Sequence, residues 1–528
     1  MKLSLDSIWN KDAWKGYHLP SFDPSVIAEN TKNNPQWLHF GSGNIFRIFP
    51  AALCQRLIEQ GEMDTGIVCC ESYDDEVITK CFRPYDNLTI AVTLNADGRL
   101  DKEVIGSMAD SLTMLYDSAR IAEIFKQPSL QMVSFTITEK GYSLRNAKHE
   151  LVPAVALDMA NGPEGCKSFM AQLAAMCLGR MHACGKPLAL VSMDNCSHNG
   201  EKLQSAVMEI AKAWLDSGKI TAEEYSYLEN DVAFPWSMID KITPRPHPVV
   251  EKQLIEDGLE DISPFTTTKH TYTAPFVNAE KTQYLVIEDQ FPNGRPPLEK
   301  AGVIITTRDI VNKVEKMKVC TCLNPLHTCL AVYGCILGYT SIAEEMKDPE
   351  LRAFIDQMSH VEGMPFVVDP GVIDPEQFLD EVLTARFPNP FMPDTPQRIA
   401  TDTSQKLSIR FGETIKAYIA SPDREASELK LIPLVLAGWL RYLIGVDDDG
   451  NPFEISPDPL LPAMQEKLTG MTLGGSIDAE QLRPILSDAS IFAVNLYDCG
   501  LAEKVIGYFT ELMAGSGAVR ATLKKYVH

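Results

Sequence analysis

Residues 1–12 contain no apolar run, so no secretory leader is expected. Cysteine occurs thirteen times, an odd number, and without pattern. Cys69-Cys70 and Cys320-Thr321-Cys322 are too close for ordinary disulfides, and no paired CxxC array suggests zinc. A reducing, cytoplasmic setting is expected, with the cysteines acting as small buried hydrophobes and no metal bound. Basic charge is scarce: 48 Lys and Arg stand against 71 Asp and Glu. The net charge of −23 argues against a nucleic-acid partner, because neutralising phosphates needs a basic surface. An anionic substrate would therefore need local Lys and Arg to overcome a repulsive field. There is no internal repeat and no low-complexity tract. The most apolar run, residues 323–339, carries Asn324, Pro325 and His327, so a core helix is expected there and no membrane span.

What is present is ample material for large cores: 528 residues, 45% of them hydrophobic, which suggests roughly two to four domains. Residues up to about Asn34, with Pro20 and Pro24, read as an irregular arm. Residues 37–40 then read as a strand running into Gly41-Ser42-Gly43-Asn44-Ile45-Phe46-Arg47. A helix over 51–60 stopped by Gly61, and an apolar strand over 66–70 ending at Glu71, complete the order strand, glycine loop, helix, strand, acid. A dinucleotide fold requires that order. Gly41 and Gly43 let the backbone approach a pyrophosphate, whose charge a helix N-terminus favours. Glu71 can accept both ribose hydroxyls of NAD, and its charge would repel the extra phosphate of NADP. Phe46 takes the place of the third glycine of the usual fingerprint. Arg47 is a candidate cationic contact, with a solvated surface arginine as its plain alternative.

Further strands are expected at 130–137 and 187–193, with a helix at 168–183 between them. They end in Thr138-Glu139-Lys140-Gly141-Tyr142 and in Asp194-Asn195-Cys196-Ser197-His198-Asn199-Gly200, where open parallel sheets bind ligands. For Asp194-Asn195 the plain alternative is an Asx turn capping the next helix. Residues 234–244 contain a short strand, and 287–297 form a turn-rich connector, with a domain boundary near residue 300. Beyond Thr307 the pattern is mostly helical, over 310–320, 326–339, 342–360 (broken at Pro349), 378–385, 429–444, 479–486 and 502–526.

Residues 315–328 join a charged amphipathic segment to a nearly uncharged one. Glu315, Lys318, Asn324 and His327 thus stand where the chain passes from solvent into a core. Burial lowers the pKa of a lysine, so Lys318 can serve as a base near neutral pH. The plain alternative is a surface lysine paired with Glu315 three residues earlier.

Taken in order, these motifs resemble the long-chain mannitol dehydrogenase family of polyol and sugar-acid dehydrogenases, from about residue 37 to the last helices. The resemblance rests on the GxGN…R loop at 41–47, Thr-Glu-Lys-Gly-Tyr at 138–142 and Asp-Asn…Asn-Gly at 194–200. It extends to Met-Ile-Asp-Lys-Ile-Thr-Pro at 238–244, Ile-Glu-Asp-Gln-Phe…Gly-Arg-Pro at 287–296, the central Lys…Leu-Asn…His, and Asn389-Pro390…Asp394…Arg398…Lys406. It implies an α/β plus all-α chain: a Rossmann-type NAD-binding domain over 1–300, then a mainly helical substrate and catalytic domain over 301–528. The active site would lie between them and transfer hydride without a metal.

By the same resemblance Lys318 is the general base, Asn195 and Asn324 donate to the reacting oxygen, His327 orients substrate or lysine, and Glu315 is a proton-relay carboxylate. Glu139 and Asp240 join the cofactor-binding loop residues, and Asn199, Lys241, Arg398 and Lys406 fall among substrate contacts. The centre departs from the family pattern. Lys318 and Asn324 are six apart where five is usual, and Pro325 follows in place of glycine. That proline also suits Asn324 as a helix N-cap, and it leaves Lys316 as a rival base. The core resembles the sugar-acid branch more than the polyol branch, and Arg398 and Lys406 offer cations for a carboxylate. Arg295 reads as a structural arginine in the connector. A 2-keto sugar acid is thus the expected substrate. The alternatives are a polyol or, from another class, a non-catalytic sugar-acid or nucleotide sensor. No amphipathic stripe demands a partner, so a monomer is compatible with the sequence.

Overall fold

A computed structural model describes residues 1–527. The chain forms two compact units, Met1–Asn312 and Lys313–His528.

The first unit is built on six parallel strands: β1 (Trp37–Phe40), β2 (Ile67–Glu71), β3 (Met108–Thr113), β4 (Met132–Phe135), β5 (Leu188–Ser192) and β6 (Val232–Ala233). They lie in the order β3-β2-β1-β4-β5-β6. Helices cover both faces, so the central strands read as continuous apolar runs rather than alternating ones. Successive residues of β1 and β2 enter opposite cores: Leu38, Phe40, Val68 and Cys70 pack into one, and Trp37, Ile67 and Cys69 into the other. His39, in mid-sheet, lies 2.6 Å from Ser134 Oγ and 2.9 Å from Thr136 Oγ1. Burial pushes its pKa down to about 3, so the ring is neutral.

The expected irregular arm contains a helix, Pro24–Asn33. Asp23 caps it by accepting from Ser25 N at 2.8 Å, Pro24 occupies the first turn, and Ile27 and Thr31 are buried. The segment expected as one helix over 502–526 is two, Ala502–Leu512 and Ala518–Tyr526. They are parted at Gly515 and Gly517, whose φ values of +147° and +76° no helix admits. The expected connector at 287–297 begins inside a strand, Tyr284–Glu288. Besides a two-stranded pairing of Phe265–Thr266 with Tyr272–Thr273, two smaller sheets were not anticipated. One has four strands, with Thr89–Leu94 between Leu100–Ile105 and Phe276–Glu280. The other has three, with Tyr284–Glu288 at its centre.

The described part of the second unit is helical. Its core element is α2 (Asn324–Ile336), which follows α1 (Arg308–Met317) and an intervening π turn, Lys318–Cys322. Residues Arg308–Ile336 together are long and apolar enough to cross a membrane, but 83% of the apolar window is buried within the protein. α2 packs against the fully buried helix Leu431–Tyr442, and Tyr333 OH donates to Leu434 O at 2.7 Å.

One carboxyl is trapped against α2. Glu345 has no exposure, and neither oxygen has a hydrogen-bond partner. A Cβ on Gly334 would sit 2.2 Å from its Oε1. Burial first, then Asp348, raises the Glu345 pKa well above 4.5. The unfolded chain therefore releases this proton at lower pH than the folded one. The stability carried by the neutral carboxyl is complete below pH 4.5 and is lost as pH rises towards the folded pKa. Glu345→Gln should then gain melting temperature over the parent chain as pH rises from about 5.5 to about 8.5, by a few degrees at the upper end. Differential scanning calorimetry at the two pH values checks this.

Candidate active site

Strand order reverses between β1 and β4, and the glycine loop leaves β1 at that reversal. Gly41 has φ +111°, and a Cβ there would lie 2.2 Å from Thr136 O, just past the end of β4. No side chain fits. Gly43 differs: its φ is −69° and nothing lies within 4 Å of where its Cβ would be. The protein's own packing does not require glycine at 43, which stands at the exposed crest of the loop.

The rest of the loop is turned inward. Phe46 is fully buried and stacks on His39 with centroids 4.2 Å apart, which accounts for a large ring where the fingerprint has glycine. Arg47, expected as a cationic contact on the loop, is 1% exposed. It donates to Ala274 O (2.7 Å), Asn44 Oδ1 (3.0 Å) and Thr273 Oγ1 (3.2 Å), so it braces the loop from beneath. Asn44 and Ile45 are half-buried. Glu71 holds the loop from the side. Its Oε2 accepts from Ser42 N at 3.0 Å and Ser42 Oγ at 2.5 Å, and its Oε1 from Tyr73 N at 2.8 Å. Beside Glu71 a cleft of about 570 Å³ opens past the ends of β2 and β3, lined in part by Tyr73, Thr113, Met114 and Lys269.

Asp194, at the end of β5, is named in the sequence with Asn195, with an Asx turn as its plain alternative, but is given no role of its own there. Its carboxylate accepts from Ile137 N (2.9 Å), Thr138 N (2.8 Å) and Tyr142 OH (2.5 Å). It thereby holds Thr138 at φ +65°, an unfavourable conformation for a β-branched residue. Burial raises the Asp194 pKa, against those three hydrogen bonds. The carboxylate caps no helix; the next helix, Asn199–Asp216, starts after His198 with no side-chain cap. Asn195 is exposed next to this clamp. Asn199, expected to touch substrate, is instead fully buried. Its amide donates to Ser192 O, Asp194 O and Ser237 Oγ and accepts from Ser237 N, which leaves nothing for a ligand. Glu139 is exposed and ion-paired with Lys202. Asp240 is buried at the end of strand Ser237–Asp240. Lys241 Nζ donates to Glu280 O at 2.9 Å and Gln283 Oε1 at 3.0 Å.

In the second unit Lys318 is 5% exposed and is the first residue of the π turn, its carbonyl accepting from Leu323 N, five residues on, at 3.1 Å. It is not a surface lysine. Asn324 is the first residue of α2 rather than its cap, which is Leu323. Its half-buried amide makes no hydrogen bond among the described residues. His327 Nε2 lies 3.5 Å from Asp394 Oδ2, and Asp394 Oδ1 accepts from Arg398. Burial is the main cause that drives the His327 pKa down to about 4, with Arg410, Arg398 and Arg386 adding to it against Asp394. The imidazole is neutral at physiological pH. Lys406 Nζ donates to Thr401 O at 2.5 Å. Asp394 was visible in the sequence only as part of a motif, four residues before Arg398, and Arg410 not at all. Among the described residues no three His, Cys, Asp or Glu side chains assemble as a metal set.

A glycine loop at the switch point of a 3-2-1-4-5-6 parallel sheet defines the first unit as a Rossmann-type dinucleotide-binding fold. The chain belongs to the mannitol dehydrogenase family: the mannitol dehydrogenase Rossmann domain matches residues 35–300, and the mannitol dehydrogenase C-terminal domain residues 310–512. It is 50% identical to the D-mannonate oxidoreductase of Thermotoga maritima, over 100% of this chain and 99% of that one. Among solved structures it is similar to substrate-free D-sorbitol dehydrogenase (27% identity, TM-score 0.78, covering 96% of this chain and 98% of that one). It is also similar to Pseudomonas fluorescens mannitol 2-dehydrogenase in ternary complex with NAD and D-mannitol (25% identity, TM-score 0.71, covering 99% of each).

The two glycines should separate in their effects. Gly41→Ala forces a Cβ onto a backbone carbonyl at positive φ and should cost at least about 2 kcal/mol of stability. Gly43→Ala should leave the melting temperature within a degree or so of the parent, yet weaken NADH binding roughly tenfold or more by filling the open space at the crest. Calorimetry and NADH fluorescence titration on both variants provide the check.

Proposed function

We propose that the chain is an NAD-dependent oxidoreductase that interconverts D-fructuronate and D-mannonate. The observation that carries this is the full-length 50% identity to a D-mannonate oxidoreductase. The local geometry supports it. The open crest at Gly43 and the cleft beside Glu71 fit a dinucleotide, and the Glu71 charge disfavours a phosphate on the adenosine ribose. Bound NADH supplies the hydride.

Lys318 performs the proton transfer: as ammonium it protonates the nascent alkoxide in reduction, and as amine it takes the hydroxyl proton in oxidation. A base of this kind contributes on the order of a hundred- to ten-thousandfold in rate. The amides of Asn195 and Asn324 donate to the oxygen as its charge develops, each worth on the order of a hundredfold. Glu315 relays the proton, and neutral His327, beside Asp394, orients the substrate or the lysine. Arg398 and Lys406 meet the substrate's far end. Glu139 and Asp240 contact the cofactor, and Lys241 the substrate. The thirteen unpaired cysteines, nine of them buried, suit a cytoplasmic enzyme.

Oxidation of NADH followed by absorbance with D-fructuronate, D-tagaturonate and D-fructose in turn tests the substrate. Turnover should be fastest with D-fructuronate, and turnover of D-fructose alone would refute the sugar-acid reading. Lys318→Ala should abolish turnover while NADH binding stays at the parent value, and Lys316→Ala should retain most activity. The reverse pattern would move the base to Lys316.

A further inference from the structure

We propose that Arg410 is the residue that recognises the substrate's carboxylate and so separates sugar acids from neutral polyols. This rests on the sugar-acid reading above. Arg410 lies in a second π turn, Ser408–Gly412, which packs against the Lys318–Cys322 turn and α2. Its guanidinium donates to Thr328 Oγ1, and Thr328 in turn donates to Asn324 O at 3.0 Å. Arg410 is thus tied to the turn of α2 that carries Asn324 and His327.

Two fully buried arginines show why the half-buried Arg410 stands out. Those arginines are structural: Arg180 uses all five of its N–H donors and Arg441 three, every one on a backbone carbonyl. Arg410 has five N–H donors and uses one, on a neutral hydroxyl. Among the described residues no carboxylate lies within ion-pair distance of Arg410 or of Lys406. This holds in a chain with 71 acids and 48 bases. The nearby Arg398 is already neutralised by Asp394.

Lys406 and Arg410 stand four residues apart, with Arg410 N donating to Lys406 O at 3.0 Å, so two like charges share one helical face. Burial first, and then Arg410, lowers the Lys406 pKa; burial lowers that of Arg410 to about 10. A carboxylate relieves both costs, and the free fork of the guanidinium matches its two oxygens. In D-fructuronate the carboxylate and the ketone lie towards opposite ends of the carbon chain. The carboxylate can therefore be read without interfering with the reacting oxygen.

The test is equilibrium binding of D-mannonate and D-mannitol to the full-length protein with NAD present, by calorimetry, for the parent, Arg410→Met and Arg410→Lys. The parent should prefer D-mannonate. Arg410→Met should lose roughly 10- to 100-fold in D-mannonate affinity with D-mannitol affinity unchanged, and Arg410→Lys should recover part of the loss. A parent without preference, an Arg410→Met that keeps it, or equal weakening of both ligands would each overturn the proposal. Reduction of D-fructuronate by the parent is read separately. Selective D-mannonate binding without that turnover would refute the proposed reaction and leave Arg410 as the carboxylate reader.

Discussion

The close approach of Gly41 to the Thr136 carbonyl sets the geometry of the whole first unit. It occurs where β1 and β4, paired as far as Phe40 and Phe135, hand their chains to loops running in different directions. A loop that must cross that gap without a side chain has little to hold it; Glu71 holds that loop, and Asp194 holds the facing loop after β4. Glu71 at the end of β2 takes backbone and hydroxyl of Ser42. Asp194 at the end of β5 takes the backbone of Ile137 and Thr138 beyond β4. Both use acid oxygens on backbone N–H groups, where charge-assisted bonds are short and strong. The crest of the loop is left exposed because its sides are fixed.

This division explains what could be read from the sequence and what could not. The order strand, glycine loop, helix, strand, acid is written in adjacent residues, and so are the apolar periods of the helical half. The helix Pro24–Asn33 was also legible, through Asp23-Pro24, a cap and first-turn pair that the reading as an arm passed over. The direction of a side chain was not legible. Arg47 and Asn199 sit in motifs that advertise ligand contact, yet both are buried braces, because tertiary partners at Ala274, Thr273 and Ser237 claim their donors. The pairing of Phe276–Glu280 with Thr89–Leu94 joins segments far apart in the chain, and no local pattern announces it.

Charge in the second unit follows the same logic of partners. Burial among arginines keeps His327 neutral, so the positive character near α2 comes from guanidinium and ammonium groups. Asp394 neutralises one of them. Against a background of −23, leaving Lys406 and Arg410 without acids is costly unless an anion completes them.

The six-residue interval between Lys318 and Asn324 first reads as a break in the family's spacing. The backbone gives it a simpler cause. Leu323 N bonds to the carbonyl of Lys318, five residues back rather than four. A turn closed this way holds one more residue than an α turn, so an inserted residue is absorbed in a local bulge rather than carried down the helix as a rotation. Pro325 fits the same arrangement. It has no N–H to offer, and at the start of α2 none is needed. Asn324, one residue into the helix with Leu323 as the cap, keeps its amide for other work. The extra residue and the proline, two departures in sequence, are one accommodation in structure.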